Sequence, residues 1–105
     1  MLRDSMLRIT IRERPEQVTM KLEGQLIGTW VSELENSWRT ANSTLLGRSL
    51  CLDLEAVDRV DGAGRYLLAL IARSGARMEG SGAEMKELLR AIAEEWPLRE
   101  YQDTS

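Results

Sequence analysis

The chain contains no histidine, and only one of its 105 residues, Cys51, is a cysteine. The first absence removes the commonest general base and the commonest zinc ligand, which weighs strongly against an enzyme. The second excludes an intramolecular disulfide and fits a reducing compartment. Long apolar runs are also missing: Tyr66 to Ala72 is the longest, and a helix that crosses a bilayer needs ~20 residues. Positive charge is not in excess. The net charge of −3 and the isoelectric point near 5.0 imply no broad attraction to nucleic-acid phosphates or anionic lipid. Met1 to Met6 holds Arg3 and Asp4 where a secretory leader would be apolar, so no signal peptide is expected and the sequence reads as cytoplasmic. What is present, 43% hydrophobic and 30% charged residues, is the composition of an ordinary globular domain. One domain is expected over residues 1–105, with its core in 7–96 and a tail at 97–105.

Leu7, Ile9 and Ile11 alternate with Arg8, Thr10 and Arg12, the period-two pattern of a half-buried strand. After a turn containing Pro15, Val18, Met20 and Leu22 alternate in the same way, so the two segments predict an antiparallel hairpin that stops at Gly24. Beyond Gly28, the residues Trp30, Val31, Leu34, Trp38 and Ala41 recur at helical steps, with Thr29 as the expected N-cap. Leu50, Leu52 and Leu54 predict a third strand. Cys51 on its other side suggests a central position with both faces covered. Asp61-Gly62-Ala63-Gly64 reads as a tight turn into a helix carrying Tyr66, Leu67, Leu70 and Ile71 up to Gly75. A short strand at Arg77–Gly80 follows, parallel to the third because strand–helix–strand units cross over right-handedly. Ser81 is then the expected N-cap of a last helix, striped by Met85, Leu88, Leu89, Ile92 and Trp96 and ended by Pro97. The expected fold is α/β: a four-stranded mixed sheet with three helices, in the order ββαβαβα.

Candidate chemistry is sparse. Cys51 lies between Leu50 and Leu52, where a thiol packs and titrates too high to be a nucleophile. Asp53, Glu55, Asp58 and Asp61 gather at the end of the third strand. They read either as oxygen ligands for Mg²⁺ or, as preferred here, as solvated loop charges plus a helix cap at Asp61. Gly62 and Gly64 open a helix whose free N–H groups suit an anion, but their spacing matches neither a Walker loop nor a dinucleotide fingerprint. Small residues needed for close packing are the simpler explanation. Trp30, Trp38 and Trp96 fall on apolar stripes and read as core. Arg65 and Tyr66, types favoured at interface hot spots, are candidates for a contact surface. No catalytic residue, metal or cofactor is expected.

The segment Leu50 to Ala76, with its Val60-Asp61-Gly62-Ala63-Gly64 turn, resembles the signature of STAS domains, the family of anti-sigma factor antagonists and of sulfate-transporter tails. Leu22-Glu23-Gly24-Gln25-Leu26 is similar to the family's L-x-G-x-L strand ending. The resemblance covers most of residues 7–96. It implies a non-catalytic regulatory module that binds a protein partner, an anti-sigma factor kinase, through Asp61, Gly62, Ala63, Gly64 and Arg65. Phospho-regulated antagonists have Ser or Thr directly after the motif Asp. Here Gly62 occupies that position and Ala63 follows, so the loop has no phosphorylation site. Arg59-Val60-Asp61 with Ala63-Gly64 is similar also to a cytoplasmic subunit of lipid-transporting ABC systems, which implies the transporter ATPase as the alternative partner. Arg65 replaces the family's usual Leu. A small nucleotide-binding protein is the third reading, and it predicts affinity for ATP or GTP.

Overall fold

A computed structural model describes residues 6–95. Strands β1 (Leu7–Glu13), β2 (Gln17–Leu26), β3 (Ser49–Val60) and β4 (Arg77–Glu79) and helices α1 (Thr29–Ser43), α2 (Gly62–Arg73) and α3 (Ala83–Glu95) follow one another as ββαβαβα. The sheet has the order β1-β2-β3-β4. β1 and β2 pair antiparallel, whereas β2–β3 and β3–β4 are parallel. The expected α/β class, element order and mixed four-stranded sheet are all present, with β3 central.

Handedness decides where the helices lie. The steps β2–α1–β3 and β3–α2–β4 run in the same direction across the sheet, so two right-handed crossovers place α1 and α2 on one face. α3 packs beside α2. Beneath this layer the buried side chains of Val18, Met20, Leu22 and Leu26 from β2 meet Leu50, Leu52, Leu54 and Val57 from β3. Leu34, Leu67, Leu68, Ile71, Met85 and Ile92 close the core from above. The other face carries Thr19, Lys21, Glu23 and Asp53, all half-buried. Cys51 is indeed buried, at 3% exposure. The expected cover on both faces is corrected, however: its neighbours on that side are the polar Thr19 and Arg77 in register and Glu79.

Five boundaries differ from expectation, the smallest at β4, which ends at Glu79 rather than Gly80. β2 does not stop at Gly24; only its pairing with β1 does, at Leu7↔Gly24, while the strand runs on along β3 to Leu26. Gly24 has φ 108°, and a Cβ there would lie 2.1 Å from the Met6 carbonyl oxygen, so the close crossing of the two chains requires glycine. β3 continues six residues past Leu54, to Val60, so Glu55 and Asp58 are strand rather than loop residues. Thr29 is the first residue of α1, and Gly28 is its cap, with φ 57° and no side-chain cap bond. Ser81 is not a cap either. Its hydroxyl donates to Glu55 Oε1 at 2.6 Å, and the Gly82 carbonyl accepts the first bond of α3 from the Lys86 N–H. Trp96, Pro97 and the proposed tail lie outside the described residues. No helix among the described residues is long and apolar enough to cross a membrane.

Candidate functional site

Because β2 and β3 are parallel and end together at Leu26↔Val60, the segments that follow them emerge at the same edge of the sheet. That edge, beyond the carboxyl ends of parallel strands, is where open α/β sheets place ligands. Here it brings Gly28, at the start of α1, beside Asp61, at the start of α2, although 33 residues separate them.

Asp61 holds the site together with every polar group it has. Its N–H donates to the Leu26 carbonyl at 3.2 Å, and its own carbonyl accepts from the Arg65 N–H at 2.9 Å. Oδ1 accepts from the Gly64 N–H at 2.8 Å, which is the expected N-cap bond. Oδ2 accepts from the Gly28 N–H at 2.9 Å. The carboxylate therefore bridges the amino ends of two helices, at the positive ends of both dipoles. The Gly28 and Gly64 N–H groups, in that order, hold the Asp61 carboxyl below the ordinary carboxylate range.

Of the two glycines that open α2, only Gly64 has to be small. A Cβ on Gly64 would lie 2.7 Å from the Leu26 carbonyl oxygen and 2.9 Å from Val60 Cγ1, so α2 can begin flush against β2 and β3 only with glycine there. The close-packing explanation given for both glycines thus holds at Gly64, which is an ordinary helical residue buried in the first turn of α2 rather than part of a tight turn before it. Gly62 has nothing within 4 Å of a Cβ position. It and Ala63 are exposed, so the loop presents a small, bare shelf.

Beyond the shelf, Tyr66 is not part of the buried stripe but 53% exposed, and Leu68 takes the fully buried place. Arg65 is half-buried, on the flank of the helix about 100° from Tyr66. Asp61, Gly62, Ala63, Gly64 and Arg65 thus form one continuous feature, with Gly64 as its foundation and Gly28 as a member that the sequence reading missed. The only sequence signal for Gly28 is a glycine just after the strand-ending Leu26. The acidic residues do not converge: Asp53 accepts from the Glu55 N–H, Glu55 accepts from Ser81 and Asp61 bridges the helix ends. No group of three or more His, Cys, Asp or Glu side chains suited to a metal ion occurs among the described residues. A cleft of about 140 Å³ adjoins the loop between Val57–Val60 and Met85 and Leu88, below the ~300 Å³ at which small-molecule pockets begin. Burial, and then the charge and hydrogen bond of Glu79, push the Cys51 thiol above its ordinary value, in line with a packing role.

No protein-family model and no curated protein matches the chain. Solved structures do share its fold. One, described as "Crystal Structure Analysis of Mglu", superposes on 71% of this chain with a TM-score of 0.55 at 23% identity; another, of Mglu in its native form, superposes on 70% with a TM-score of 0.50, also at 23% identity. This chain spans only 19% and 22% of their respective lengths, and at that identity the likeness is one of fold.

Proposed function

We propose that the chain is a cytoplasmic, non-catalytic STAS-type regulatory module that binds an anti-sigma factor kinase through the Asp61 loop and so releases a sigma factor by competition. The observation that carries this reading is the double engagement of Asp61. Its carboxylate is consumed by the Gly28 and Gly64 N–H groups, so the residue holds the loop rather than performing chemistry, and what faces outward is a pre-organised shelf with Tyr66 beside it. Pre-organised surface is what protein recognition rewards. The absence of a hydroxyl at Gly62 and Ala63 makes this an antagonist without the usual phosphate off-switch.

The test is titration of the purified chain with the anti-sigma kinase encoded in the same cell, in the presence of ATP. Stoichiometric binding without modification is expected. Gly62→Ser, which has room for its side chain, should become a phosphate acceptor and lose affinity once phosphorylated. Binding to an ABC transporter ATPase in place of the kinase would favour the alternative partner. Measurable affinity for ATP or GTP by the isolated chain would overturn the binding-module reading.

A further inference from the structure

We infer that the outer edge of β1 is a docking site for an extended segment of another protein, apolar on one side and acidic on the other, which joins the sheet as a further strand. This goes beyond the reading above and uses a different part of the molecule. The Gln25 N–H donates to the Met6 carbonyl at 2.9 Å and the Arg14 N–H to the Gln17 carbonyl at 2.8 Å. The register between them, Leu7↔Gly24 to Glu13↔Val18, is unbroken, so antiparallel alternation turns the backbone of Arg8, Thr10 and Arg12 toward β2. The N–H and C=O groups of Leu7, Ile9 and Ile11 therefore point away from the sheet, and no strand among the described residues pairs with them. Sheets blunt such an edge by shortness, a bulge or a proline. β4, the opposite edge, has three residues, whereas β1 has seven, with neither a proline nor a bulge against β2. Ile9 and Ile11 lie opposite the core residues Leu22 and Met20, on the helical side, yet Ile9 is only half-buried and Ile11 is 42% exposed. Alternate side chains of an added strand stand directly beside them.

Charge selects the occupant. Arg8 and Arg12, both exposed, stand on the other side of β1. Behind them Lys21 lies opposite Thr10 and Glu23 opposite Arg8, which leaves this corner positive in a chain of net charge −3. Neither arginine belongs to an ion pair. Charges are the remaining way to guard an edge, and they act selectively. A second copy, pairing β1 with β1 antiparallel about Thr10, sets Arg8 against Arg12 at both ends, and like charges directly opposite destabilise a sheet. Centring the pair on Ile9 still leaves arginines diagonal to one another. A strand with Glu or Asp at these places gains where the second copy loses. The occupant therefore has the pattern acidic-apolar-x-apolar-acidic, its acidic residues opposite Arg12 and Arg8 and its apolar ones opposite Ile11 and Ile9.

The test mixes the full chain with synthetic peptides of that pattern, about nine residues long to span β1, with either Glu or Lys at the acidic places, and follows amide hydrogen exchange. The Glu peptide should slow exchange at Leu7, Ile9 and Ile11 and leave Arg8, Thr10 and Arg12, already bonded to β2, unchanged. The Lys peptide should bind at least about tenfold more weakly. N-methylation of the Glu peptide at the residues opposite Ile9 and Ile11 removes the donors that face β1 and should abolish binding; methylation at the residues opposite Arg8, Thr10 and Arg12 should not. The double variant Arg8→Glu/Arg12→Glu should reverse the preference between the Glu and Lys peptides. A thermal melt accompanies it; if it fails to fold, the N-methylated peptides on the unaltered chain carry the test. No protection at about 1 mM Glu peptide, equal binding of the Glu and Lys peptides, indifference to N-methylation, or dimerisation of the chain alone that protects Leu7, Ile9 and Ile11 would overturn the inference. The kinase titration above does not enter this test, so either reading can fail alone.

Discussion

Gly62 and Gly64 stand two residues apart in the same helical turn, and the fold makes opposite demands on them. At Gly64 an added methyl meets a backbone carbonyl and the Val60 side chain, neither of which can move without shifting β2 or β3. Gly64→Ala should therefore destabilise by about 1–3 kcal/mol, the usual cost of overpacking. At Gly62 the methyl enters open space, and Gly62→Ala should be neutral or stabilising by up to ~1 kcal/mol through the unfolded chain's lost entropy. Urea denaturation of the two variants checks this, and equal effects would contradict it. Asp61 adds a pH dependence whose sense follows from its lowered pKa. A carboxyl that titrates lower in the folded state contributes stability that is complete above its unfolded pKa, about 3.9, and is lost as pH falls through the folded value. The stability gap between the wild type and Asp61→Ala, about 1 kcal/mol for a lost cap, should thus hold constant from neutral pH to about pH 4 and shrink below it. A gap that widens on acidification would show that the carboxylate does not act through its charge.

At the scale of elements, Arg48 ties the end of α1 to the turn between β1 and β2. Its guanidinium donates to the Thr44 carbonyl at 2.7 Å, the Leu45 carbonyl at 2.8 Å, the Arg14 carbonyl at 3.3 Å and Glu13 Oε1 at 3.2 Å. The Arg48 side chain is 18% exposed and that of Glu13 is 65%, so the backbone carbonyls should matter more than the ion pair. Arg48→Lys, which keeps the charge and loses the fork, should cost about 1–3 kcal/mol, and Glu13→Gln less than about 0.5 kcal/mol. Chemical denaturation of both variants decides between them, and a larger loss from Glu13→Gln would reverse the assignment. Elements of this kind were legible in the sequence wherever side-chain periodicity alone sets them, as in Val18, Met20 and Leu22 or Leu50, Leu52 and Leu54. They were not legible where the backbone departs from its ideal repeat. Between Lys21/Glu23 and Gly24/Gln25 the register with β3 slips, each time placing one extra residue in β3. The apolar positions after Leu54 therefore come at Val57 and Val60, three apart, and the strand reads as loop. Thr29 and Ser81 were misjudged as caps because residue type alone does not show long-range partners: Gly28, tied to Asp61, takes the cap position before Thr29, and the Ser81 hydroxyl goes to Glu55. The Asp61 loop itself was legible as a cap and a packed glycine. Its tie to α1 was not, because nothing local marks a contact across 33 residues.

Taken together, the described residues form a two-layer fold with helices α1, α2 and α3 on one side of the sheet, and this asymmetry predicts how it opens. On the helical side the central strand lies under the hydrophobic core, and exposing it means losing most of the buried surface. On the other side the described neighbours of Cys51 are the polar Thr19, Arg77 and Glu79, and one of its two partner strands is β4, three residues long with Arg77 and Glu79 both exposed. Short edge segments with few buried contacts occupy the low end of local stability. Cys51 should therefore be reached by release of β4 rather than by global unfolding, even though it is 3% exposed and sits on the central strand. Alkylation would be slow, because burial and Glu79 raise the thiol's pKa and the thiolate is the reactive form. Its rate should nevertheless be nearly independent of urea at low concentrations, since little surface is exposed on local opening, and should turn upward only where the global transition begins. Glu79→Pro, which adds a residue without an N–H to the end of β4 and removes the thiol's hydrogen-bond partner, should accelerate labelling while shifting the global midpoint far less. A labelling rate that rises with the full urea dependence of unfolding from the outset would show instead that β4 opens only with the whole sheet.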